Sequence, residues 1–240
     1  MTAVRPALAP LEGRFITLKP LTIGQLPALH AAIGHREVFA GGYGGGPGGY
    51  RADAQEFAEW ARTYLQFGAP ALAAATEGDA SRVDSSTNDA NVYGVYLRGG
   101  ANDGVLVGTS TLGEIDVQRE SAHLGWTAYD PRVWGSQVNA EAKYLLFTSA
   151  FESGLGRVKL QADAMNARSC AAIERFGARY EGTLRRERQR PDGSWRDTVL
   201  YSVLAEEWPQ VRAGLAERLD RFTAPVQLRG ALASEEPLSA

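Results

Sequence analysis

Apolar and polar positions alternate over Phe15, Ile16, Thr17, Leu18 and Lys19, which reads as a first strand ended by Pro20. Thr22 then caps a helix. Ile23, Leu26, Leu29, His30 and Ile33 recur at helical spacing until Gly34 stops the run. His30, alone on that face, reads as packed or solvated rather than catalytic. A second helix is expected over residues 53–67, with Phe57, Trp60, Ala61, Tyr64 and Leu65 as its apolar face. Between these helices, residues 41–49 hold seven glycines. The segment lacks the lysine and the Ser/Thr of a nucleotide loop, and no strand leads into it, so it reads as a flexible connector, with a substrate lid as the second reading.

Residues 70–76 are apolar and can begin a strand, whereas 77–91 form a polar run with almost nothing to bury and are expected as a mobile insertion. Two strand patterns, 92–97 and 105–115, flank a glycine-rich turn and predict an antiparallel hairpin. A further strand at 124–129 is followed by a Pro/Gly-bearing loop at 131–137 and a long helix opening at Val138. Residues 158–164 read as the next strand. Asn166 caps a short helix with Ala172, Ile173 and Phe176 on its core side and Gly177 at its stop. Segments 180–190 and 195–204 flank the turn Pro191-Asp192-Gly193-Ser194 and form a second hairpin. A last helix, 206–222, carries the stripe Trp208, Val211, Leu215 and Leu219. The whole reads as one domain over residues 1–222 and a flexible tail over 223–240.

Composition narrows the function. The chain has 240 residues, 44% hydrophobic and 22% charged, which is the range of one globular domain rather than a disordered or fibrous chain. A net charge of −3 gives no bulk attraction for nucleic acid or an anionic membrane. One cysteine, Cys170, rules out an intramolecular disulfide, and His30, His35 and His123 lack zinc spacing, so no metal is expected. Residues 1–20 carry Arg5, Pro6, Pro10, Glu12 and Arg14 where a secretory signal needs an apolar run, and no long apolar stretch occurs. The expected location is cytoplasmic. Arg185, Arg186, Arg188, Arg190 and Arg196 crowd the last hairpin; a solvated charged face is the first reading, and contact with an anionic ligand or RNA the second.

A strand that feeds a glycine-bearing turn opening a helix presents unpaired backbone N–H groups to an anion. Residues 124–138 have this form, so a phosphate group is expected to dock there. Physical chemistry alone goes no further.

The element order, with Leu124-Gly125-Trp126, Trp134-Gly135, Val138-Asn139-Ala140-Glu141-Ala142-Lys143, Asn166-Ala167-Arg168-Ser169, Arg175-Phe176-Gly177-Ala178 and Pro191-Asp192-Gly193 before Arg196-Asp197-Thr198, resembles the GNAT acyl-CoA N-acetyltransferases. Within them it is most similar to the RimJ/RimL ribosomal-protein branch. The resemblance covers about residues 11–219 and implies an α+β fold with a mostly antiparallel, splayed central sheet flanked by helices. It also implies acetyl-CoA as co-substrate and a primary amine as acceptor, either a protein N-terminus or a small molecule, attacking directly in a ternary complex. A homodimer is left open.

The family's pyrophosphate loop, Gln/Arg-x-x-Gly-x-Gly/Ala, maps onto Arg132-Val133-Trp134-Gly135-Ser136-Gln137, with Gln137 where a small residue is usual. The implied cofactor-binding residues are Thr127, Ala128, Arg132, Val133, Trp134, Gly135, Ser136, Gln137, Val138 and Asn139, with Asn166 anchoring the pantetheine arm. Ser169, three residues after Asn166, would protonate the leaving thiolate. An attacking amine must lose a proton, and Glu114, Asp116, Glu181 and Glu187 are the candidate bases. Glu187 is preferred because the ribosomal-protein branch places a carboxylate on this strand, although a shift of one residue would put Arg188 there. A covalent route through Cys170 is disfavoured, since no nearby histidine in the sequence activates it. Two rival classes remain: an acyl-CoA-binding protein without turnover, and a ribosome- or RNA-associated protein that uses the arginine hairpin.

Overall fold

The computed structural model describes residues 2–65, 67 and 90–230. The strand start at 70–76 and the insertion at 77–91, apart from residues 90 and 91, lie outside these, as do residues 231–240 of the expected tail.

Among the described residues, eight strands form one mixed sheet: β1 (Leu11–Glu12), β2 (Ile16–Pro20), β3 (Asn91–Leu97), β4 (Leu106–Asp116), β5 (Ser121–Tyr129), β6 (Arg157–Asp163), β7 (Arg179–Gln189) and β8 (Trp195–Leu204). Their spatial order is β1-β2-β3-β4-β5-β6-β8-β7. Every pairing is antiparallel except β5 with β6. The fold is therefore α+β, with a mostly antiparallel open sheet.

Among the described residues, six α-helices accompany it: α1 (Leu26–Ile33), α2 (Arg36–Ala40), α3 (Ala54–Tyr64), α4 (Val138–Glu152), α5 (Ala167–Arg175) and α6 (Trp208–Asp220). Leu26, Leu29 and Ile33 from α1 pack with Phe57 and Ala61 from α3 and with Phe39 in one core cluster. Leu146, Phe147 and Ala150 of α4 pack with Leu215 and Leu219 of α6 and with strand residues Leu124, Val158 and Val203 in the other. Two apolar layers thus cover the central strands on both faces, which is why β3 is buried at every position, whereas the edge strand β7 is exposed along almost all its length. His30 packs at 5.0 Å from the Phe57 ring and its Nε2 lies 3.2 Å from the Arg51 carbonyl. Among the described residues no helix is long and apolar enough to cross a membrane.

Buried Glu141 on α4 ties that helix to the sheet. Its carboxylate accepts hydrogen bonds from the N–H groups of Arg14, Phe15 and Ile16 at 2.7–2.8 Å. A side chain at Gly13 would collide with it, at 2.5 Å, so the approach requires glycine there.

Two segments are more ordered than their composition suggests. The glycine segment forms short helical turns at Tyr43–Gly45 and Pro47–Gly49 around buried Tyr43, whose ring meets Phe39, Trp60 and Tyr64. In the expected tail, Val226 is 3% exposed within the α4–α6 core, and Arg229 N–H donates to the Arg132 carbonyl. Residues 223–230 are therefore docked, because a single valine and a few backbone bonds suffice to seat a short apolar stretch.

Candidate active site

Parallel pairing of β5 with β6 spans only Ser121, Ala122 and His123 against Arg157, Val158 and Lys159. Beyond His123 the two strands separate. A cleft of about 670 Å³ opens there, lined by both strands, by the loop before α4, and by α3, α5, the glycine segment and the β7–β8 hairpin. A volume of that size suits a small organic ligand. Register shifts in the β4–β5 ladder accompany the separation, and Trp126 sits at φ +48°, a conformation rare for a bulky residue.

The loop after β5 turns on Asp130, which is fully buried. Its carboxylate accepts from Arg132 N–H at 2.8 Å and holds the Arg132 guanidinium at 2.6 Å. Trp134 Nε1 donates to the Tyr129 carbonyl at 2.9 Å, and Gly135 takes φ +74°. Ser136 Oγ accepts from Val138 N–H at 3.3 Å. Among the described residues, the N–H groups of Asn139 and Ala140 find no acceptor, as expected for a first helical turn. Asn139 Oδ1 and Tyr129 Oη are also buried without a partner. Donors and acceptors left open at one end of a cleft are what a phosphate-bearing, amide-containing ligand would satisfy.

Of the residues expected to bind cofactor, Thr127, Ala128, Val133, Trp134, Gly135, Ser136, Asn139 and Asn166 line the cleft, as does Ser169. Asn166 caps α5 by accepting from Ser169 N–H at 2.9 Å. Three others do not line it. Arg132 is spent on Asp130; Val138 is buried in the core; buried Gln137 turns away from the cleft, its Nε2 donating to the Ala224 carbonyl at 3.1 Å. The unusual Gln137 therefore ties the loop to the docked C-terminal segment and leaves the ligand side clear.

None of the four candidate carboxylates lines the cleft. Glu187 instead accepts from Thr198 Oγ1 at 3.0 Å, because the irregular register between Leu184 and Arg188 presents Arg188 to the cleft. Glu181 is taken by Ser202 and Arg157, and Asp116 by Arg119. Cys170 does not line the cleft either.

Glu114 acts at one remove. Its backbone stands at φ +49°, beside an irregularity in β4. One carboxylate oxygen lies 3.2 Å from His123 Nδ1 and the other accepts from Lys159 Nζ at 2.7 Å. Hydrogen bonding from His123, joined by Lys159, holds Glu114 at a pKa of about 2. An ionised carboxylate only accepts, so Nδ1 carries the hydrogen and Nε2 is left with its lone pair. That Nε2 is buried, has no partner, and belongs to a residue lining the cleft. Burial lowers the His123 pKa, opposed by Glu114, so the ring is neutral at neutral pH.

Lys143 enters from α4. Its Nζ donates to Thr127 Oγ1 at 2.7 Å and to Ser110 Oγ at 3.3 Å, and burial brings its pKa down to about 7. A reading of the sequence assigns no role to His123 or to Lys143, although Lys143 closes the segment 138–143 that carries the resemblance. Their partners arrive from β4 and β5, whose pairing brings Glu114 near His123.

The profile of the acetyltransferase (GNAT) domain family matches residues 16–179. A solved structure from T. thermophilus, described as an acetyltransferase, is 32% identical, with a TM-score of 0.68 over 88% of this chain and 97% of its own. A GCN5-related N-acetyltransferase from Brucella melitensis is 24% identical, with a TM-score of 0.71 over 90% and 87%. Mycobacterium smegmatis RimJ, in complex with CoA-disulfide, is 21% identical, with a TM-score of 0.63 over 88% and 93%. These last two share the fold. No curated protein matches.

Proposed function

This chain belongs to the GNAT acetyltransferase family, and from that premise we propose that it transfers an acetyl group from acetyl-CoA to a primary amine in a ternary complex. The separation of β5 from β6 beyond His123 carries the reading. It leaves one edge of β5 facing a cleft that also receives the open N–H groups of α4. The RimJ structure is a complex with CoA-disulfide, which supports CoA as the donor; a protein N-terminus and a small amine are the two acceptor classes that the sequence resemblance implies.

In this reading Gly135, Ser136 and the first turn of α4 hold the pyrophosphate. Asn139 and Asn166 bond the pantetheine arm. His123 Nε2 takes the proton from the attacking amine, and Glu114 keeps the imidazole in the tautomer that can do so. The amine nitrogen bonds to the acetyl carbonyl carbon, unpaired N–H groups of β5 stabilise the oxyanion, and the C–S bond breaks. Ser169 donates to the departing thiolate. Lys143 fixes Thr127 beside the reacting carbonyl.

Acetyl-CoA titration and a thiol-release assay over amines, including ribosomal-protein N-terminal peptides, test this. Binding in the micromolar range and acceptor-dependent thiol release are expected. Binding without release over every acceptor would leave only a CoA-binding protein, and no binding would remove both readings.

A further inference from the structure

Building on the acyl-transfer reading, we infer that the acceptor carries a carboxylate, received in the cleft by Arg196 together with Arg188 and the Tyr64 hydroxyl. The arginines of the last hairpin divide sharply once folded. Arg190 is clamped by both nitrogens to Asp163, at 2.8 Å each, in a buried pair. Arg186 lies over the exposed Trp195 ring, at 4.6 Å. Arg188 and Arg196 are cross-strand partners, and both line the cleft.

Arg196 is the unusual one. It is half-buried, its Nε is buried without a hydrogen-bond partner, and no carboxylate stands within ion-pairing distance among the described residues. A guanidinium drawn out of water without an anion is costly to hold, and a bound anion offsets that cost. Nearby carboxylates are engaged elsewhere: Asp163 holds Arg190 and the Met165 N–H, and Glu187 takes Thr198. Tyr64 contributes a third donor. Its oxygen accepts from the Gly44 N–H at 3.2 Å while burial raises its pKa, so the hydroxyl keeps its hydrogen.

Charge selects a monoanion. Glu187 lies 3.7 Å from Arg188 and offsets that charge in part, leaving about one positive charge for the pair. A carboxylate matches it better than a phosphate dianion, and the planar fork of Arg196 fits the two oxygens. The glycine segment adjoins the hairpin here, with Gly45 beside Pro191 of the hairpin turn and Gly44 beside Trp60.

Matched acceptors that differ in one carboxylate against one carboxamide provide the test: amino acids with their amides, and dipeptides of uncharged residues with their C-terminal amides. Thiol release should favour the carboxylate members by about tenfold or more in kcat/KM, the effect of one charge-assisted contact. Arg196→Gln should erase that preference without changing acetyl-CoA affinity, Arg196→Lys should retain part of it, and Arg188→Gln should reduce it less. Equal use of both members by the wild type would overturn the inference. So would an Arg196→Gln variant that loses acetyl-CoA affinity and keeps the preference, since the arginine would then serve a CoA phosphate. If no acceptor releases thiol, the acyl-transfer reading fails by itself. Calorimetric titration of the same pairs onto CoA-bound protein still decides: carboxylate binding lost in Arg196→Gln upholds the site, and equal binding of both members refutes it.

Discussion

His123 concentrates the chemistry at the scale of single residues. Below its folded pKa the ring is protonated and cannot accept, so activity should fall as pH drops through that value, which burial places under the usual ~6.5. His123→Gln should lower kcat by roughly 10²- to 10⁴-fold at neutral pH, leave the dissociation constant for acetyl-CoA unchanged, and remove the acid limb. Glu114→Gln should move that limb to lower pH, because the carboxylate that favours the protonated ring is gone. A pH–rate profile of both variants checks this, and an intact limb in His123→Gln would exclude the base role. No reading of local sequence finds this pair. Glu114 stood among the four candidate bases and the family resemblance preferred Glu187, whereas the fold engages Glu187 with Thr198 and Glu181 with Ser202 and Arg157 and turns Glu114 toward a histidine.

At the scale of elements, the turn between β5 and α4 depends on a buried ion pair rather than on its glycine alone. Asp130, with no exposure, bonds both the backbone and the guanidinium of Arg132. Removing one partner of such a pair leaves the other unmatched. Asp130→Asn should therefore destabilise the protein by roughly 1 to 3 kcal/mol in urea unfolding. It should also raise the dissociation constant for acetyl-CoA, since Gly135 and Ser136 would lose their fixed geometry. Unchanged affinity would show that the turn holds its shape without the pair. Here the element was legible: strand, turn and helix stand where the apolar pattern put them. What the motif did not show is that the Arg132 side chain pairs with Asp130, because a sequence pattern shows which residues accompany a loop but not which way each one faces.

At the scale of the molecule, the C-terminal segment closes the structure behind the site. Val226 fills the core between α4 and α6, and Ala224 receives Gln137 at the start of α4. Val226→Ala should cost roughly 1 to 3 kcal/mol, read as a lower denaturation midpoint. A truncation that ends the chain at residue 222 should cost at least as much and weaken acetyl-CoA binding; thermal unfolding and titration of both proteins check it. Unchanged stability would mean that the segment rests on the surface without supporting it.

Sequence periodicity by itself determined the strands, the main helices and their order, because each regular element buries one face and thereby imposes its own repeat on the chain. Local sequence also located the strand–turn–helix and Asn166 as the cap of α5, whose partners lie within a few residues. Only the tertiary structure decided where β5 leaves β6, which charges face the opening, and that Lys159, Glu114 and His123 meet at that point. Those outcomes depend on register shifts between strands far apart in sequence. A one-residue change of register exchanges the side chains on the two faces of a strand, and no local pattern records it.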